Sequence, residues 1–312
     1  MTASSDNRAP APVTRPGFYE VRTPDPDRLV HYYQDALGLV VTERSGSATY
    51  LTTGVDHHCV IVQQGERDGR AAIGFEVAGS LTDVQRELKK LGVDAQLRSD
   101  PQPAIRAALT LPEPETATPI YLYQGQGTGG AGGAGGAGGV PTTLGTRPTK
   151  LGHIASYVAD LEGAQSFYTD VLGFRWSDTI GDFFTFLRCN ADHHAINLMR
   201  SASKHGLFHV AFEMRDIVHL KDALDHLASR DIRLQWGPGR HGAGHNIFTY
   251  HHDPDGNLVE LFTEIDIIYD EATGQFQPRP WHEHWPQVPQ VWGLGPEAAN
   301  KWGPIDPEMM AH

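Results

Sequence analysis

Apolar and polar positions run in short alternating stretches, interrupted at intervals by segments with helical spacing. In the second half of the chain, LGHIASYV (151–158) reads as a strand and LEGAQSFYTDVLG (161–173) as a helix ending in glycine. FFTFLRC (183–189) and HAINLM (194–199) follow as strands. The order then restarts with the strand LFHVAFEM (207–214) and the helix IVHLKDALDHLASR (217–230). In that helix Val218, Leu220, Leu224 and Leu227 recur at helical spacing. Strands close the series at IRLQW (232–236), NIFTYHH (246–252) and LVELFTEI (258–265).

The first half repeats this pattern. HYYQDALGLVVTE (31–43) matches QSFYTDVLGFRWSD (165–178), and LTTGVDHHCVIV (51–62) matches LRCNADHHAINL (187–198), with Asp-His-His in both. AAIGFEVAGSLTDVQRELKKLGV (71–93) matches LFHVAFEMRDIVHLKDALDHLAS (207–229). Collinear matches at a nearly constant offset indicate a tandem duplication. The expected fold is α+β. It has four β-α-β-β-β modules in two tandem domains, each a curved, open, barrel-like mixed sheet with outer helices. Residues 1–15 are expected to be a polar extension, 16–124 the first domain, and 125–149 a linker. Residues 150–268 form the second domain and 269–312 a tail packed on it. The linker expectation rests on GQGTGGAGGAGGAGG (125–139), in which ten of fifteen residues are glycine. The tail holds Trp281, Trp285, Trp292 and Trp302, too aromatic to hang free; wrapping the surface or covering a pocket would both bury them.

With 25 basic and 38 acidic side chains the net charge is −13, which argues against a nucleic-acid surface. No apolar run is long enough to span a membrane, and the polar, Pro-rich start lacks the apolar core of a secretory signal. Two cysteines, Cys59 and Cys189, build neither a disulfide framework nor a cysteine-based zinc site, so a reducing cytoplasm is expected. Seventeen histidines turn attention to metal or acid–base chemistry.

Strand alternation sorts those histidines. Leu207, His209 and Ala211 should share one face, with Phe208, Val210 and Phe212 on the other. Leu258, Glu260 and Phe262 share a face, as do His153, Ala155 and Tyr157. Three strands thus each offer one ligand in apolar surroundings, where a lone charge or imidazole would be costly and a shared cation resolves the cost. Two imidazoles and one carboxylate are the donor set of open-sided non-haem Fe(II) sites. At the matching first-half positions stand Phe18, Ala72 and, near Glu260, Ile120, so all three candidates are missing together from one copy.

The segment HGAGHNIFTYHHDPDGNLVE (241–260) resembles the signature of type I extradiol ring-cleavage dioxygenases: His, a spacer, Tyr, two residues, Asp-Pro-x-Gly, then Glu. These enzymes belong to the vicinal oxygen chelate superfamily, and the resemblance spans roughly residues 15–290. Thr249 stands where an apolar residue usually precedes the tyrosine. The resemblance implies Fe(II), with Mn(II) as the other candidate, on His153, His209 and Glu260. It implies His194 as the acid–base histidine beside O2, and His241 and Tyr250 as the groups contacting the catechol oxygens. His245 is the rival of His241. His193 should point away on its strand and take no part; His251, His252, His282 and His284 are expected to be surface or pocket-lining.

The implied reaction is O2-dependent cleavage of a catechol beside its diol, giving a muconic semialdehyde-type acid. A glyoxalase-like isomerase or a ligand-binding member of the superfamily is the other reading. Phe184, Phe186, Trp236, Ile247 and Phe248 are candidates for an apolar lining suited to a neutral mono- or bicyclic catechol. Arg188, Arg240 or Arg279 could instead receive an acidic one. The metal-free first half is a natural surface for a homo-oligomer.

Overall fold

The computed structural model describes residues 11–66, 70–127, 146–277 and 288–305. Most of the glycine-rich stretch, together with Arg279, Trp281, His282, His284 and Trp285, lies outside the described residues.

Each module begins with a long strand: Val13–Thr23, Arg70–Val77, Lys150–Val158 and Gly206–Glu213. A helix follows each of them: Pro26–Asp35, Leu81–Lys90, Leu161–Ser166 and Ile217–Ala228. All four helices start the same way. Asp25, Ser80, Asp160 and Asp216 each accept a backbone N–H three residues on, satisfying a donor that the first turn leaves open. The third helix runs on through a π-turn, Phe167–Val171. In Ile217–Ala228 the buried face is His219, Leu220, Ala223, His226 and Leu227, whereas Val218 is exposed. The stripe is therefore rotated from the one its apolar spacing suggests.

Within each module the first strand lies parallel to the last, and the remaining pairings are antiparallel. Two modules join through their first strands, Val13–Thr23 against Arg70–Val77 and Lys150–Val158 against Gly206–Glu213. The result is one sheet of eight strands and one of nine with the same order, the four-module mixed-sheet architecture expected. The ninth strand comes from the tail: Gln290–Trp292 adds parallel to Arg175–Ile180. The first strand starts at Val13, inside the stretch expected as an extension, and Ala11 and Val13 donate their N–H groups to Val171 and Leu172 of the second half.

The two halves share a continuous apolar core, with Phe75 stacked edge-on against Phe174 and Tyr33 against Phe212. A fully buried ion pair of the first half, Arg70 with Glu113, is tied across the same boundary by hydrogen bonds. Arg70 donates to Glu113 and, at 2.7 Å, to Ser156 Oγ, while Tyr168 donates to Glu113. Removing one partner of such a pair strands a charge without water. Glu113→Ala is therefore expected to destabilise the protein by about 3–5 kcal/mol. Glu113→Gln, which keeps a hydrogen-bonding group, should cost less; urea unfolding midpoints compare the two.

Candidate metal centre

The first strands of the two second-half modules lie side by side with His209 opposite Ala155 and Ala211 opposite His153. Leu258–Thr263 runs parallel on the other flank and places Glu260 beside Ala211. The small side chains of Ala155 and Ala211 leave room for the two imidazoles and the carboxylate to lean toward one point. His153 Nε2 is 3.1 Å from His209 Nε2 and 3.0 Å from Glu260 Oε2, and His209 Nε2 is 3.1 Å from the same oxygen. All three side chains are buried. Among the described residues this is the one group of three with the donor spacing of a metal site.

The donor triangle fits a cation. Three neighbouring donors on one face of an octahedral ion at about 2.1–2.2 Å stand about 3.0–3.1 Å apart. Hydrogen bonding closes only two sides of the triangle: Glu260 Oε2 can accept from both Nε2–H groups, but the two protonated nitrogens 3.1 Å apart then have no bond between them, which a shared cation would supply. The far nitrogens, His153 Nδ1 and His209 Nδ1, are buried with no hydrogen-bond partner among the described residues. Asn246 holds the other carboxylate oxygen, donating from Nδ2 to Glu260 Oε1 at 3.0 Å. Burial alone would raise the Glu260 pKa, but His153 and His209 outweigh it and hold the carboxylate well below its usual range. Burial lowers His209, against the pull of Glu260, so its imidazole stays neutral and able to ligate.

Alternation along LFHVAFEM fails at its start. A bulge between Leu207 and His209 puts Phe208 into the pocket beside His209, and Leu207 packs on the outer core. The face expected to carry Leu207 with His209 is corrected accordingly. The first-half counterpart is also corrected: register pairs Gly74 with Tyr121 as it pairs Ala211 with Glu260, so Tyr121 rather than Ile120 matches the carboxylate. Phe18 and Tyr121 pack there at 5.7 Å, and Gly74 is required because a Cβ would fall 2.1 Å from the Phe18 ring. Aromatic side chains fill the space that the second half leaves open.

Three further groups expected at the site surround the triad. The His194 ring lies 4.4 Å from that of His153 and lines the pocket. Burial, then the neighbouring imidazoles, lowers its pKa far below the usual value. Tyr250, on the strand beside Glu260, is directed to the same pocket with its ring 5.3 Å from His209. Burial, then Glu260, raises its pKa well above the usual value. His241 Nδ1 lies 2.6 Å from the Ala299 carbonyl, which can only accept, so Nδ1 carries the proton. His241 Nε2 is then free to accept from the Tyr250 hydroxyl 3.2 Å away. Burial pushes His241 down to about 4.

His245 is bound to Asp266 at 2.6 Å and does not line the pocket, so His241 is the histidine that the fold brings to Tyr250. His193 does not turn away: its Nδ1 sits 2.9 Å from His194 Nδ1. His251 is buried between the halves, 2.7 Å from the Tyr32 hydroxyl, rather than at the surface or in the pocket; His252 is exposed. Asp253 of the Asp-Pro-x-Gly turn accepts from the N–H groups of Asp255 and Asn257, and Asp255 pairs with Arg28 of the first half. That part of the motif thus has a structural task.

Phe184, Phe186 and Trp236 line the pocket as expected. Ile247 belongs to the main core instead, and Phe248 lies behind His241 and Trp236, 3.8 Å and 4.4 Å from their ring centres. No Lys or Arg lines the pocket among the described residues. Arg188 is engaged by Glu271 and the Trp176 carbonyl, and Arg240 by Glu264 and the His245 carbonyl. One polar lining residue escaped the sequence reading: Asn197, paired across the sheet with Ala155, is buried with no partner for its Oδ1 among the described residues. The tail covers the pocket, with Ala298 and Ala299 in its wall.

Residues 150–261 match the model of the Glyoxalase/Bleomycin resistance protein/Dioxygenase superfamily. Metapyrocatechase 2 of Cupriavidus necator is 26% identical over 98% of this chain and 96% of its own. The 3-methylcatechol 2,3-dioxygenase of Pseudomonas putida is 30% identical over 71% of this chain and 80% of its own. The crystal structure of homoprotocatechuate 2,3-dioxygenase from Arthrobacter globiformis shares the fold, with a TM-score of 0.80 at 22% identity over 97% of this chain and 92% of that one.

Proposed function

The chain belongs to the extradiol ring-cleavage dioxygenases of the vicinal oxygen chelate superfamily, and on that premise we propose a residue-level account of how it opens a catechol. The observation that carries the account is the triangle of His153, His209 and Glu260 donors, 3.0–3.1 Å on a side, facing His194, Tyr250 and His241.

These three residues would hold Fe(II), with Mn(II) the other cation suited to the same donors. Bound there, such a cation supplies Lewis acidity toward the diol oxygens and a common binding centre for catechol and O2. The chain's own residues do the rest. Tyr250, whose hydroxyl stays protonated, donates to His241 Nε2, whose tautomer the Ala299 carbonyl fixes, and its oxygen is then oriented to accept from a catechol hydroxyl. His194, kept neutral by burial, accepts the proton that the diol releases and returns it to oxygen as the ring opens. The apolar walls exclude water from these transfers. Both oxygen atoms end in a muconic semialdehyde-type acid. Among the described residues no basic group lines the pocket, which favours a neutral catechol over one bearing a carboxylate.

The same reading takes residues 16–124 and 150–268 as the two domains, with the tail 269–312 serving the second. It places a homo-oligomer in a reducing cytoplasm, where the buried thiols Cys59 and Cys189, both pushed up to about 12 by burial, would be inert. Among the described residues no helix is long and apolar enough to cross a membrane.

The test is an aerobic assay after anaerobic Fe(II) loading, with catechol, 3- and 4-methylcatechol, 2,3-dihydroxybiphenyl and homoprotocatechuate. A yellow product with equimolar O2 uptake is expected from the neutral members, and the anionic one should be the poorest substrate. No product from any of them, in protein holding one iron per chain, would overturn the assignment.

A further inference from the structure

A buried polar array adjoins the pocket without lining it. Next to His194, and outside the pocket lining, His193 Nδ1 meets His194 Nδ1 at 2.9 Å. On its other edge, His193 Nε2 lies 3.1 Å from Asp178 Oδ2. Asp178 is itself gripped by the tail, accepting from Gln290 N at 2.9 Å and from Trp292 Nε1 at 2.8 Å. Phe276 packs on the His193 ring, and the backbone at Gly244 presses so close that a Cβ would stand 3.0 Å from His193 Nδ1. The array is held on every side.

Its chemistry has one consistent proton pattern. A carboxylate can only accept, and a bare Nε2 on His193 would set its lone pair against those of Asp178. The contact is too bent to be a hydrogen bond, but a carboxylate 3.1 Å away still favours N–H over a lone pair at that edge, so His193 Nε2 carries the proton. His193 Nδ1 is then the acceptor and His194 Nδ1–H the donor. That leaves His194 Nε2 bare, on the ring that lines the substrate pocket. We propose that Asp178 and His193 are positioning residues that fix His194 in its Nδ1–H tautomer, and that the tail strand Gln290–Trp292 completes this array.

The duplication supplies an internal comparison. At the matching first-half positions Glu43, His57 and His58 form the same sequence of groups, with His57 Nδ1 3.0 Å from His58 Nδ1. The module thus inherits the paired imidazoles as a fold feature. The difference lies in the carboxylate: Glu43 is 3.5 Å from His57 and 44% exposed, whereas Asp178 is 3% exposed. Val40–Ser45 is an edge strand, while its counterpart Arg175–Ile180 is covered by the tail strand. Only the half with the donor triangle has its carboxylate sealed in place.

The inference rests on His194 as the acid–base group, so its test reads the tautomer separately from turnover. In Zn(II)-loaded, histidine-labelled protein, long-range proton–nitrogen NMR spectra should show His194 as Nδ1–H. Asp178 Oδ2 also accepts from Trp292 Nε1, so Asp178→Asn is paired with Trp292→Phe; the amide Nδ2 can then face His193 Nε2 and donate to it, which reverses both imidazoles and should move the His194 proton to Nε2. In the Fe(II) protein the same variant is expected to lose about 10²-fold in kcat, the direction seen when a wrong tautomer is imposed on a catalytic histidine. KM and metal content should stay within about twofold. Trp292→Phe alone should reproduce a part of both effects, and Glu43→Gln neither. Overturning results are an Nε2–H tautomer in the unaltered protein, an unchanged spectrum in the Asp178→Asn, Trp292→Phe double variant, or a loss of kcat matched by loss of metal. If the unaltered protein cleaves no catechol, the functional reading falls while the spectra still decide the tautomer.

Discussion

Replacing His209 with alanine is expected to abolish metal retention and to lower ring-cleavage activity at least about 10³-fold, roughly 4 kcal/mol of transition-state stabilisation. The geometry requires this. His209 Nε2 is one corner of a triangle whose other corners are 3.1 Å away, and two neighbouring donors without the third cannot define a face of a coordination sphere. Loss of fold is not the expected cause, because the chain carries its own control. The first half has Ala72 at the matching position in the register and still forms its strand and sheet. Metal analysis per chain, circular dichroism and turnover on the same preparation separate these effects. A variant that kept iron and turnover would remove His209 from the ligand set.

The second large effect is expected at His194. Its neutral ring, 4.4 Å from that of His153, is placed to hold a proton next to the bound diol and oxygen, yet no donor atom of the triangle belongs to it. His194→Phe should therefore keep the metal and bind catechol while losing about 10²–10⁴-fold in kcat, the usual contribution of a positioned general acid–base. The contrast with His209→Ala is diagnostic: one variant loses the cation, the other keeps it. Equal loss of metal in both would place His194 among the ligands instead. Binding of catechol to the anaerobic Fe(II) protein, followed by its absorption, gives a readout that does not depend on turnover.

The legibility of this site differs from residue to residue. His153, His209 and Glu260 could be found from strand alternation, because each lies mid-strand in an apolar run where a polar side chain needs a reason. Their joint absence from the first copy strengthened the case. His194, His241 and Tyr250 came from the motif resemblance, and the structure brings all three to the pocket wall. His193 was misplaced, since alternation alone sends neighbours to opposite faces and takes no account of the turn that precedes Ile196–Arg200. Phe208 was misplaced by a bulge, and Ile120 by a register that only strand pairing sets.

By itself the amino-acid sequence determined the module order, the duplication and the choice of His153, His209 and Glu260 as the candidate donor trio. These follow from local periodicity and from the comparison of one half with the other. The tertiary structure alone decided the rest. It set the 3.0–3.1 Å spacing of the donors, the Asn246 hold on Glu260, the Ala299 carbonyl behind His241 and the tail's grip on Asp178. Each of these joins groups far apart in the chain across a sheet whose register, bulges and edge pairings are chosen by the energy of the whole packed core. Local pattern shows which side chains must be buried; only the folded sheet determines which of them meet.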